Sequence, residues 1–359
     1  ERAEDLSSAA AAAAAGGITS ILAMPNTEPS ADTPALIRRL SAKAAGLPAN
    51  VYFSAAVTMG RSGRRLTGLK ALKKAGATAF TDDGACVSDS GLLERALRLA
   101  KALKVPLLEH AEWFALTGAG VMHDCALARR LKLPVIPRES EVFMVLRDLL
   151  SARAAGAPLH LQHLSCRESV ELVAAAKKAG IKVTAETCPH YFSLTCGDVR
   201  NAAFKMKPPL REASDREALK KGLAGGEIDV IASDHAPHRA AEKNKGLLKA
   251  PFGAIGLETM LGLALTELVH TGRVSRLRLA GLMSSNPARI LGLTNKGGLA
   301  PGMDADLTLV DPVVEYRVGP RFHSRSANSP FIGRRLKGRA VATIAGGRFT
   351  FRSGRVLRH

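Results

Sequence analysis

The amino-acid sequence predicts an α/β protein: a (β/α)8 TIM-type barrel whose first strand is missing, followed by a small C-terminal β-sandwich part. Three observations carry this prediction. Short apolar segments alternate with amphipathic helical ones, seven such strands can be counted, and the chain opens directly in a helix that ought to follow a strand.

In chain order, residues 4–15 form the opening helix. The alanine run Ala9–Ala15 inside it follows acidic residues, not the basic flank of a secretory leader. Strands are expected at 19–24, 51–57, 78–80, 105–109, 159–163, 181–186 and 229–233, with helices between them such as 35–45, 92–103, 140–155 and 168–179. Several helices stop at glycine just before the next strand, as in Lys178-Ala179-Gly180. An open nucleotide-binding sheet fits less well, because no strand is followed by a GxGxxG or GxxxxGK[ST] turn, and Gly16-Gly17 closes a helix instead of opening one. Residues 1–295 are therefore assigned to an incomplete barrel. After Pro287-Ala288-Arg289 the character changes, with turns at Gly297-Gly298 and Pro301-Gly302, a strand at 306–310, and a hairpin of 341–345 and 348–351 around Gly346-Gly347. Residues 296–359 thus read as a β appendage, and 317–339 as a basic loop.

With 46% hydrophobic residues but only 4% aromatic ones, the core must be aliphatic. No apolar run approaches the roughly 20 residues needed to span a bilayer, so a cytoplasmic protein without membrane association is expected. Five cysteines, with no CxxC pair among them, suit a reducing compartment and leave any metal to His and carboxylate ligands. The net charge of +19 is spread along the chain without interleaved aromatics, which reads as a basic surface and not as a nucleic-acid site.

A parallel barrel presents its chemistry at the C-terminal ends of its strands. Four expected ends carry metal-competent side chains: Thr81-Asp82-Asp83-Gly84, Glu109-His110-Ala111-Glu112, Gln162-His163-Leu164-Ser165 and Ser233-Asp234-His235-Ala236-Pro237-His238. Imidazole nitrogen and carboxylate oxygen are what Zn²⁺ and similar ions take in catalytic sites, and a carboxylate can bridge two of them. His160 and His163 are three apart on a strand and point to opposite faces, so His163 faces the mouth and His160 is structural. Asp234 and His238 can both reach a substrate; His235 points away from Asp234, and His190 is a candidate supporting residue. His123, His270, His323 and His359 have no such setting and are expected at the surface.

Taken together, Met24-Pro25-Asn26-Thr27, Thr81-Asp82-Asp83-Gly84, Glu109-His110, His160-Leu161-Gln162-His163, Ser233-Asp234-His235-Ala236-Pro237-His238, Ala250-Pro251-Phe252-Gly253 and the stretch from Asn286 to Leu293 resemble bacterial class I dihydroorotase of the amidohydrolase superfamily. They occur in that family's order along nearly the whole chain. The resemblance implies a zinc-dependent enzyme with two Zn²⁺ per site that interconverts N-carbamoyl-L-aspartate and dihydroorotate in pyrimidine biosynthesis. It implies that Asp83 bridges the ions, that His110 and His163 bind the second, and that Asp234 binds the first and serves as catalytic acid/base. Asn26, His238, Phe252 and Gly253 would contact the substrate. A homodimer and a partnership with aspartate transcarbamoylase also fit the family.

Two departures stand out. The family's His-x-His-x-Arg motif, which ends the first barrel strand, has no counterpart here, and no other His-x-His occurs in the 359 residues. A segment upstream of Glu1 is expected to supply it, and the 359 residues alone are expected to be unstable and inactive. The second departure is Lys207, which stands where many relatives place a substrate-binding Asn; it is retained as a substrate-contact candidate. Two other functions stay open: a cyclic amidohydrolase acting on hydantoin or allantoin, and a non-catalytic scaffold for aspartate transcarbamoylase.

Overall fold

Seven parallel strands run as one series around a barrel in the computed structural model, which describes residues 2–357. They are β1 (Ser20–Ala23), β2 (Asn50–Ala55), β3 (Ala79–Phe80), β4 (Leu108–Glu109), β7 (Leu159–Leu161), β8 (Val183–Thr187) and β9 (Val230–Ile231). Ladders join β1 to β2 to β3 and β4 to β7 to β8 to β9, and a parallel bridge between Phe80 and Leu107 connects the two groups. All seven expected strands are present, and the series ends at β1 and β9. The difference shows in burial: every residue of β1 is only half-buried, whereas all of β7 is buried.

The helices between strands form because their apolar residues fall on one face. In helix Ser90–Leu103 the buried set is Leu92, Leu93, Ala96, Leu97 and Ala100, a stripe with helical spacing. Asp89 caps it by accepting from the Leu92 N–H at 2.6 Å. Each leucine so buried stabilises the fold by about 1.5–3 kcal/mol before entropy is counted. The opening helix Leu6–Ala15 is capped by Asp5, whose carboxylate accepts from Ser8 N at 2.8 Å.

Beyond the barrel lies an antiparallel sheet of β10 (Leu307–Arg317), β11 (Arg335–Ala345), β12 (Arg348–Arg352) and β13 (Arg355–Val356), in that order. The hairpin at Gly346-Gly347 is found where expected. The basic stretch 317–339 is not all loop, however: both its ends are strand, because Tyr316 pairs with Leu336 and Arg317 with Arg335. The sheet seats on the opening helix through Thr343 Oγ1 donating to Ala14 O and Thr308 Oγ1 to Gly17 O, each at 2.7 Å. Gly17 is required there, since it has φ +81° and a Cβ would lie 2.8 Å from both Ala340 and Thr308.

Two further strands, β5 (Met122–His123) and β6 (Val135–Ile136), pair with each other after β4 and had no sequence expectation. They correct the reading of His123, which is buried and whose Nδ1 lies 3.1 Å from Arg211 Nη1. His270 and His323 are exposed as expected, while His359 and Glu1 lie outside the described residues. No helix among the described residues is long and apolar enough to cross a membrane.

Candidate metal and active site

The ends of β3, β4 and β7 bring Asp83, His110 and His163 together, with one ligand atom from each lying within 4.8 Å of the others. His110 Nδ1 lies 2.8 Å from His163 Nε2, and Asp83 Oδ1 lies 3.6 Å from the first and 3.4 Å from the second. The loop carrying Asp83 is tied down on both sides: Thr81 Oγ1 accepts from Asp83 N at 3.1 Å, and Arg61 Nη1 donates to Asp83 O at 2.7 Å. Asp82 turns away from the mouth and accepts from Thr58 N at 3.0 Å.

These donors fit a metal ion. His163 Nδ1 is buried without a hydrogen-bond partner, while its Nε2 faces His110 and Asp83. His110 Nε2 lies 2.8 Å from Glu112 Oε2, the carboxylate–imidazole contact that orients a metal-binding histidine and leaves its other nitrogen free to ligate. Burial alone disfavours the His110 imidazolium, but hydrogen bonds and charge from Asp83 and Glu112 outweigh it and raise its pKa to about 10. Burial likewise works against the Asp83 carboxylate, yet the two imidazoles hold it well below the usual range. The cluster is built for a positive charge at its centre.

Asp234 lies at the end of β9 and is not part of that compact three-donor group. Burial raises its pKa to about 6 against the pull of His163. His190 stands beside it, its Nε2 3.8 Å from Asp234 Oδ2 and without a hydrogen-bond partner. Burial, helped by the charge of His163, lowers the His190 pKa to about 3, so this ring is neutral beside the carboxylate. Asp234 and His163 both hold positive φ, +42° and +35°. Non-glycine residues there cost about 1–3 kcal/mol each and persist at functional positions where the surroundings hold them.

The expected substrate-contact residues scatter more widely. His238 and Phe252 are linked, with His238 Nε2 donating to Phe252 O at 2.7 Å. Gly253 sits against them at φ +110°, and a Cβ there would meet Ala236 Cβ at 2.4 Å. Lys207 Nζ lies 3.0 Å from Glu112 Oε1 and above the rings of Phe114 (4.9 Å) and Phe252 (5.2 Å). Asn26 is exposed on the loop after β1, and no hydrogen bond ties it to the cluster among the described residues. His160 is tied to the neighbouring strand, with Nδ1 2.8 Å from Thr184 Oγ1 and Nε2 3.1 Å from Glu186 Oε2. His235 turns from the mouth: its Nδ1 accepts from Gly256 N at 3.1 Å and its Nε2 lies 3.3 Å from Glu4 Oε2.

Two supporting residues escaped the sequence reading. Glu112 was visible only as part of Glu109-His110-Ala111-Glu112, two residues from His110. Glu141, in the first turn of helix Glu139–Ala155, is buried and accepts from Ser165 N and Cys166 N at 3.0 Å each and from Ser169 Oγ at 2.7 Å. It thereby anchors the loop that follows His163, and a glutamate at an ordinary helix start offers no signal of that.

A family model described as "Dihydro-orotase-like" matches residues 2–169. The dihydroorotase of Pelotomaculum thermopropionicum is 46% identical over 348 residues, covering 96% of this chain and 81% of the relative. The chain belongs to the dihydroorotase family. The Pelobacter propionicus dihydroorotase is 44% identical over 357 residues, covering 98% of this chain and 84% of its own. Among solved structures, the L-hydantoinase of Arthrobacter aurescens superposes with a TM-score of 0.86 at 29% identity, over 98% of this chain and 81% of that one. A dihydropyrimidinase from Brevibacillus agri has the same TM-score at 24% identity, which supports the barrel fold alone.

Proposed function

We propose that the protein is a zinc-dependent dihydroorotase that interconverts N-carbamoyl-L-aspartate and dihydroorotate in de novo pyrimidine biosynthesis. The observation that carries the reading is the convergence of Asp83, His110 and His163 at the barrel mouth. Asp83, His110, His163 and Asp234 would hold the metal, two ions when a second imidazole pair is present. Bound zinc would supply Lewis acidity, which polarises the ring amide and makes water nucleophilic at neutral pH.

The chain's own residues then perform the rest. Asp234 takes a proton from the attacking water and returns it to the departing ring nitrogen. Neutral His190 borders it without competing for that proton. His238, held by the Phe252 carbonyl, keeps its other ring nitrogen for the substrate, and Lys207, Asn26 and Gly253 complete the proposed contacts.

The alternative is ring opening of hydantoin or allantoin, which the hydantoinase-like structures favour. Substrate profiling of the full gene product with zinc separates the two. Turnover of dihydroorotate that disappears in Asp234→Ala supports the proposal; turnover of hydantoin in preference to dihydroorotate overturns it.

A further inference from the structure

Glu112 lies between His110 and Lys207 at the mouth, and only its contact with His110 has so far been given a part. It is 4% exposed. Its Oε2 lies 2.8 Å from His110 Nε2, and its Oε1, which makes no hydrogen bond, lies 3.0 Å from Lys207 Nζ as an ion pair. Lys207 is held in turn by the faces of Phe114 and Phe252. The three groups form a line from the loop after β8, through Glu112, to the imidazole whose far nitrogen faces Asp83 and His163.

The physical logic is one of orientation. Imidazole can carry its proton on either nitrogen, and only one tautomer presents a lone pair to a metal at Nδ1. An acceptor at Nε2 selects that tautomer and fixes the ring plane. The acceptor must itself be held. A carboxylate buried as deeply as Glu112 is costly unless paired, and removing one partner leaves the other charge buried and uncompensated. Lys207 is that partner.

We propose that Glu112 and Lys207 are positioning residues for metal binding: Glu112 sets the His110 ring, and Lys207 holds Glu112 in place. The inference rests on the reading of Asp83, His110 and His163 as metal ligands. It also gives Lys207 a role other than substrate contact.

The test is zinc affinity, read by competition with a chromophoric chelator, on the full gene product and on Glu112→Gln, Lys207→Met, the double variant and His110→Ala. Glu112→Gln is expected to weaken zinc binding by about 10–100-fold, and Lys207→Met by several-fold, with Lys207→Arg restoring most of that loss. Because the two act in series, the double variant is expected to bind no worse than Glu112→Gln alone. The visible spectrum of the cobalt-substituted protein should shift in Glu112→Gln. Zinc affinities within twofold of the parent in both single variants, or losses that add in the double variant, overturn the inference. If Glu112→Gln fails to fold, Lys207→Met and its rescue by Arg decide alone. Failure of the ligand reading itself looks different: His110→Ala would then bind zinc as tightly as the parent.

Discussion

Glu141→Gln is nearly isosteric, yet it strikes the anchor behind His163. The carboxylate accepts from Ser165 N, Cys166 N and the Ser169 and Ser165 hydroxyls, and lies 3.6 Å from Arg211 Nη2. All of these partners present hydrogens to it. A glutamine turns one acceptor oxygen into a donor, so at least one buried donor loses its partner. Losing a hydrogen bond to a charged group costs about 1.5–3 kcal/mol. The buried Arg211 also loses its carboxylate, and breaking such a pair costs about 3–5 kcal/mol. The two overlap, and Arg211 keeps bonds to Ser165 Oγ at 3.0 Å and Ile136 O at 3.3 Å, so a total of about 3–5 kcal/mol is expected. Urea unfolding followed by circular dichroism, with the slope unchanged, reads this directly. Amide exchange at Ser165 and Cys166 should also accelerate. A loss below about 1 kcal/mol would refute the reasoning, because it would mean that these donors find water or other partners at no cost.

Three more outcomes follow from the same structure. Arg138→Met removes the guanidinium that meets Glu168 at 2.6 Å and the buried Asp215 at 3.2 Å, and should destabilise by about 3 kcal/mol in the same assay. Gly253→Ala should lower the melting temperature and slow turnover, because its φ of +110° and the 2.4 Å approach to Ala236 leave no room for a side chain. Asp234 has a folded pKa raised to about 6, so its protonated form suits the metal-free fold; that contribution is present below about pH 4 and is lost as pH rises towards 6. Asp234→Asn should therefore stabilise the metal-free protein by about 1–2 kcal/mol at pH 8 and by little at pH 4, a figure reduced for the carboxylate's partial exposure.

Much of this could be read from sequence for a physical reason. Barrel chemistry gathers at strand ends, so a strand pattern followed by Asp83, His110, His163 or Asp234 marks a candidate ligand without any knowledge of tertiary contacts. Periodicity also found the seven strands, although β3, β4 and β9 are only two residues long. It failed where local pattern does not encode the partner. β5 and β6 pair over two residues each, below any periodic signal. β10 and β11 run through basic, partly exposed residues such as Arg317 and Arg335, which composition alone assigns to loop. The placement of Glu112 against Lys207, 95 positions away by their numbers, and of Glu141 against Ser165 depends on how loops converge over the mouth.

The most direct test of the account is a zinc-edge anomalous difference map from crystals of the zinc-loaded full gene product. A peak bounded by Asp83, His110 and His163 is expected, and it should disappear in His110→Ala crystals grown alike. Full zinc loading with no peak between those three side chains would contradict it.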